Sequence, residues 1–173
     1  MRVRYSPLGQ QFAHVDSVFE ELRALVASGD FTLGKPVQEF EAMFASAIGV
    51  KHAIGVGSGT DAIKIPLRAL GIGPGDEVIT AANTFYATVG AICEVGAKPV
   101  FVDCDDTFCI DVSQLEQAIT PRTKALVPVH LTGDVAEMPR IMDIAKRHKL
   151  PVVEDGCQSL LGEYQGRRVG TWG

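Results

Sequence analysis

Cysteine is scarce in this sequence and unpaired. Cys93, Cys104, Cys109 and Cys157 form no C-x-x-C spacing, so neither a zinc ribbon nor a dithiol redox motif is written here. The four sit beside apolar runs, which suits reduced, buried thiols and a cytoplasmic protein. Basic charge is in deficit: 16 Lys and Arg against 21 Asp and Glu leave a formal net charge of −5. Arg167-Arg168 is only a pair, and no basic face for nucleic acid results. Long apolar runs are missing too. The longest uncharged stretch, Val78 to Cys93, is interrupted by Thr80, Asn83, Thr84 and Thr88 and falls short of the roughly 20 apolar residues that span a bilayer. Residues 1–30 carry Asp16, Glu20, Glu21 and Asp30 and lack the basic-then-apolar order of an export signal. No fixed repeat or low-complexity tract exists, which sets aside solenoids and linkers. His14, His52 and His148 are isolated; no cluster has metal spacing, and no metal is expected.

What remains is a globular composition, 46% hydrophobic and 21% charged over 173 residues. A chain of this size buries about 70% of its unfolded surface and needs no disulfide or metal to hold it. Residues 11–28 place Val15, Val18, Phe19, Leu22, Leu25 and Val26 on one stripe, an amphipathic helix ended by Gly29. A second helix starts at Pro36 and carries Val37, Phe40, Phe44 and Ile48 up to Gly49. From His52 the rhythm changes. Short strands are predicted at 52–56, 77–81, 98–103, 124–129 and 151–154. Helices are predicted at 58–70, 84–95, 113–119 and 137–148, with a Pro74-Gly75 turn after the first of them. Strands of four to six residues alternating with longer helices predict β-α-β crossovers. The fold class expected is α/β, a mostly parallel sheet with helices on both faces, preceded by an N-terminal helical arm.

Ligands of such sheets collect beyond the carboxyl ends of the strands, which selects the loops 57–61, 82–88, 129–135 and 155–158. Gly57-Ser58-Gly59-Thr60-Asp61-Ala62 leads from strand to helix. Its glycines admit an anion to the helix N-terminus, where free N–H groups and the macrodipole favour phosphate. Ser58 and Asp61 also fit a plain capping box. The same residues match the dinucleotide pattern G-x-G-x-x-A, yet the next strand runs into Thr80-Ala81-Ala82-Asn83 without the acidic residue that reading needs. Phe85 and Tyr86 offer a face for a flat ring, or core filling. Glu154-Asp155 closes a buried strand with two carboxylates, which there need a cation, a metal or donors. A protonated pyridine nitrogen would serve for one of them; an N-cap or surface ion pair is the simpler reading. His130, after a buried strand, is expected to be a hydrogen-bonded structural residue, and Cys157, with no base beside it, is not expected to act as a nucleophile.

At these loops the sequence resembles the DegT/DnrJ/EryC1/StrS family of sugar aminotransferases, which depend on pyridoxal 5′-phosphate and share the fold-type I aspartate aminotransferase architecture. The matching segments are Gly57 to Ala62, Gly71 to Ile79, Thr84 to Thr88, Pro128 to Gly133, Val153 to Gln158 and Tyr164 to Gly170, in family order from about residue 29 onward. The resemblance implies that Gly59 and Thr60 hold the cofactor phosphate, that Phe85 stacks on the pyridine ring, that Asp155 is the catalytic partner of its nitrogen, and that Gln158 approaches the ring hydroxyl. It implies an amino-acid donor, typically glutamate, a nucleotide-linked deoxysugar as acceptor, and a homodimer, and it places the loop Phe31-Thr32-Leu33-Gly34 near the substrate.

The family's Schiff-base lysine follows the glycine-rich stretch that corresponds to Gly170–Gly173. Lys35, Lys51, Lys64, Lys98, Lys124, Lys146 and Lys149 all lie in other motifs. The expectation is therefore an arm at 1–50 and, at 51–173, an incomplete cofactor-binding domain lacking the lysine segment and the small C-terminal domain. Such a chain alone would not transaminate. The alternatives are a dehydratase with His at the lysine position, a truncated non-catalytic subunit that only dimerises, and, from the glycine pattern, a nicotinamide dehydrogenase.

Overall fold

The computed structural model describes residues 7–173; the first six residues of the predicted arm lie outside them. After a single turn, α1 (Leu8–Gln11), comes α2 (Asp16–Ser28), stopped by Gly29 in the left-handed region at φ 70°. The helix starts later than the stripe predicts, after Val15. No residue of α2 is buried, and Val18, Phe19, Leu22 and Val26 all face outward in half-exposed positions. α3 (Lys35–Ile48) has Pro36 in its first turn, where the missing N–H costs nothing, and buries only Ala45 and Ile48.

Three parallel strands form the sheet: β1 (Glu77–Ala81), β2 (Lys98–Val102) and β3 (Thr123–Val127), in the spatial order β2-β1-β3. α4 (Gly59–Ala69) precedes β1, α5 (Tyr86–Glu94) crosses from β1 to β2, and α6 (Val112–Leu115) with a 3₁₀ turn at Glu116–Ala118 lies between β2 and β3. α7 (Met138–His148) follows β3 and ends at Lys149, which takes up the left-handed conformation at φ 56°.

The alternating side chains of β1 sort the core in two. Ile79 and Ala81 join Leu126, Leu115, Met138, Ile141 and Ala145 on the α7 side, while Val78 joins Ile63, Leu67, Ala91, Ile92, Ala125 and Val127 on the α4–α5 side. Helices thus cover both faces, as the α/β reading predicts. β2 is an edge strand with Phe101 about half exposed.

Two predicted strands are corrected. Residues 151–155 run parallel to β3 but form two separate bridges, Leu126–Val152 and Val129–Asp155, rather than a strand. The amide of Val153 donates to the Leu126 carbonyl and that of Asp155 to the Pro128 carbonyl; the rung between them would need an N–H on Pro128, which proline lacks. Residues 52–56 form no strand. Ile54 is 81% exposed, and the amide of Gly55 donates to the Glu41 carboxylate at 2.6 Å, not to a neighbouring strand. Besides the short turn α1, a hairpin goes unpredicted: β4 (Glu163–Tyr164) and β5 (Arg167–Arg168), turned by Gln165 and Gly166 with φ 50° and 78°. Among the described residues no helix is long and apolar enough to cross a membrane, and none of their His, Cys, Asp and Glu side chains cluster to hold a metal.

Candidate functional site

β2 and β3 lie on opposite sides of β1, so the chain changes direction across the sheet at the carboxyl end of β1. That is where parallel sheets open a crevice. A cavity of about 330 Å³ lies there, and each of the four selected loops contributes to its wall. Gly59, Thr60, Phe85, Asp155 and Gln158 all line it, so residues far apart in sequence meet as expected.

Ser58 caps α4. Its Oγ accepts the amide of Asp61 at 3.1 Å, while Asp61 pairs with Lys64 at 2.6 Å. Only half of the capping box forms, since the Asp61 carboxylate takes the Ser58 hydroxyl at 3.1 Å and not the Ser58 amide, and the cap leaves the anion reading intact. The amides of Gly59 and Thr60 are the first two of the helix, which have no acceptor within it. They remain available at the positive end of the helix dipole. Gly59 faces Cys157, whose Sγ would stand 3.4 Å from a Cβ placed there, so the two loops meet at this point.

Phe85 is the N-cap residue of α5 and is 58% exposed. It sits 4.3 Å from Tyr86, centroid to centroid, with a tilted ring. A large apolar ring so exposed at a cavity wall is not filling the core.

Asp155 is buried. Thr88 Oγ1 donates to its Oδ2 at 2.7 Å and the Cys157 amide to its Oδ1 at 3.3 Å. Among the described residues no cation pairs with it. Gln158 uses its carbonyl oxygen to accept the Thr132 amide at 2.9 Å, which leaves its NH₂ free to donate. Ile63, Ala87, Val129 and Leu131 make the rest of the wall mostly apolar.

Glu154, next in sequence, has a different duty. Its buried carboxylate accepts the amides of Gly170, Trp172 and Gly173 at 2.7 to 3.0 Å, and lies 3.2 Å from His130 Nε2. His130 Nδ1 accepts the Ala136 amide, so the proton is on Nε2 and is given to Glu154. Burial pushes Glu154 upward, but the donors from His130 and the three amides outweigh it and hold the carboxyl below its ordinary value. His130 is thus the structural residue expected. Neither carboxylate is an N-cap or a surface ion pair.

Cys157 is disarmed: partial burial and the adjacent Asp155 carboxylate push its thiol up to about 11. Thr84 and Thr88 are the residues sequence reading missed. The signal available was their spacing of four at the two ends of the matching segment Thr84 to Thr88, on either side of the start of α5 at Tyr86. Leu33, from the loop expected near the substrate, lines an adjoining cavity with Phe40 and Gly57.

The sequence profile of the DegT/DnrJ/EryC1/StrS aminotransferase family matches residues 14–173. The chain is 48% identical over 175 residues to a pleiotropic regulatory protein of Geobacillus stearothermophilus, covering all of this chain and 47% of that protein. It is 44% identical over 174 residues to a UDP-N-acetyl-3-dehydro-α-D-glucosamine 3-aminotransferase of Acidithiobacillus ferrooxidans, again over its whole length and 46% of that protein. The crystal structure of NtdA from Bacillus subtilis with bound cofactor PMP superposes with a TM-score of 0.83 at 44% identity, over 84% of this chain and 34% of that one. The chain spans about half the length of the curated relatives it matches.

Proposed function

We propose, from the premise that this chain belongs to the DegT/DnrJ/EryC1/StrS aminotransferase family, that its cavity holds pyridoxal 5′-phosphate for amino-group transfer to a keto group of a nucleotide-linked deoxysugar, with glutamate as donor. The observation that carries the cofactor reading is Asp155: a buried carboxylate on a mostly apolar cavity, given one neutral donor per oxygen and, among the described residues, no cation. A charge so placed wants a positive partner, and a protonated ring nitrogen supplies one.

The other residues fit the same group. Gly59 and Thr60 would hold the phosphate on their free amides, Phe85 would take the ring face, and the NH₂ of Gln158 would donate to the ring hydroxyl. Bound there, the cofactor supplies an electron sink for carbanion chemistry. The protein's part is to fix the ring between Phe85 and the apolar wall, to keep the nitrogen beside a negative charge, and to exclude water from Asp155. Residues 51–173 make this cofactor-binding part, the arm of residues 1–50 precedes it in the chain, and the site is completed in a homodimer. The sugar reading is supported by the UDP-sugar aminotransferase among the relatives.

The test is transamination by the intact gene product, with glutamate and a nucleotide-linked keto sugar, followed by mass spectrometry of the sugar. An amino sugar is expected, with turnover falling on the order of 10²–10³-fold in Asp155→Ala, the scale of a lost electrostatic partner in a dry site. Unchanged turnover in that variant would remove Asp155 from the site. Formation of a deoxygenated sugar in place of the amino sugar would assign the dehydratase reaction instead.

A further inference from the structure

A short chain of hydroxyl groups comes from the residues on either side of Phe85 in sequence. Thr88, in the first turn of α5 and completely buried, holds its Oγ1 at 2.7 Å from Asp155 Oδ2, and Thr84 Oγ1 lies 2.8 Å from Thr88 Oγ1. The direction of these bonds follows from valence. An ionised carboxylate only accepts, so Thr88 donates to Asp155; its single proton is then spent, and Thr84 must donate to Thr88. With the Cys157 amide on Oδ1, each carboxylate oxygen has one protein donor and the plane of the group is fixed.

Packing alone does not require these hydroxyls, since valine fills the space of threonine. Nor do they cap α5, whose N-cap residue is Phe85 and which receives no side-chain cap. Phe85 stands between the two threonines in sequence. One turn therefore carries both the exposed ring and the support of the carboxylate, and it sets the distance between them.

We propose that Thr88, itself held by Thr84, is the positioning residue of Asp155: it fixes the carboxylate so that its remaining lone pairs face the ring nitrogen of the cofactor. The proposal rests on the cofactor reading above. It assigns Thr88 no contact with the cofactor and no proton transfer; its effect passes through Asp155.

Pyridoxamine 5′-phosphate is the probe, because its amine cannot condense with the lysines of the chain. Its dissociation constant is measured by equilibrium dialysis, and the absorbance of the bound form is followed against pH, for the intact gene product and for its Thr88→Val, Thr88→Ser, Thr84→Val and Asp155→Asn variants. Thr88→Val should weaken binding about tenfold, the effect of leaving a buried acceptor unpaired, and should displace the pH midpoint of the bound absorbance. Thr88→Ser restores the hydroxyl and should bind within about twofold of the parent. Thr84→Val should weaken binding about threefold and move the midpoint the same way.

Parent-like binding and midpoint in Thr88→Val, with binding lost in Asp155→Asn, would overturn the proposal and leave the cofactor reading standing. Equal weakening in Thr88→Val and Thr88→Ser would also overturn it, because the hydroxyl would not be responsible. If Thr88→Val fails to fold by circular dichroism, Thr84→Val decides, and an unmoved midpoint there overturns it. Parent-like binding in Asp155→Asn, or no binding by the intact parent protein, would bring down the cofactor reading and this inference together.

Discussion

Replacing Glu154 with Gln keeps the size of the side chain and removes the charge that four donors converge on. One carboxamide oxygen cannot serve them all, and a cost of about 1–3 kcal/mol is expected. Its dependence on pH has a definite sign. The folded-state value lies below the ordinary one, so the stabilisation is complete above the range of a free glutamate, about 4.3, and is lost as pH falls through the folded value. Melting curves of the two proteins should therefore be well separated at pH 7 and converge in acid below pH 4; a constant separation would contradict the assignment. Cys157 permits a second measurement at this scale. With its thiol pushed up to about 11, little thiolate exists at pH 8, so labelling by iodoacetamide at that residue, located by peptide mass mapping, should be slower than for a small free thiol and should climb with pH toward 11. The adjacency of Glu154 and Asp155 was legible in sequence as a pair in want of partners. That one finds them in the amides of Gly170, Trp172 and Gly173 was not, since no local pattern marks a contact across so long a stretch of chain.

α4 shows how one element serves packing and site together. Its Leu67 is completely buried between the sheet and α5, and Leu67→Ala should cost about 2–5 kcal/mol, read as a lower denaturant midpoint with an unchanged slope. Ser58→Ala at the other end should cost about 0.5–2 kcal/mol through the cap alone. Most elements could be read from periodicity and punctuation: Gly29 and Gly49 end helices, and β1 emerges with the predicted bounds. The failures have local causes. Pro128 interrupts a ladder that composition alone would extend through Val129, and the apolar run at 52–56 finds no strand beside it. The β4–β5 hairpin is only two residues per strand and turns on Gln165-Gly166, a weaker hairpin signal than Asn-Gly. Its basic arm, Arg167-Arg168, reads as surface charge rather than as strand.

At the scale of the molecule, several exposed apolar side chains gather in one place. Phe40 and Phe44 of α3, with Ile54, Leu160 and Leu161, line an open trough of about 610 Å³. Soluble monomers seldom leave so much contiguous apolar surface to water. Sedimentation of this chain should therefore show a mass that rises above 18.5 kDa with concentration, and Phe40→Glu combined with Leu160→Glu should lower it. A chain that stays monomeric at high concentration and does not enhance the fluorescence of an apolar dye would contradict this.

The sheet order has one more effect, which concerns time. β1 lies in the middle, yet it is the first of the three strands to be made; its partners β2 and β3 follow about twenty and about forty-five residues later. At a synthesis rate of roughly 5–20 residues per second, Val78 and Ile79 wait for seconds before both neighbours exist. Throughout that interval the nascent strand offers two bare edges to anything near the ribosome. Slower translation of the stretch from Ala82 to Thr123 should then lower the yield of folded protein, even though no residue of the finished core has changed.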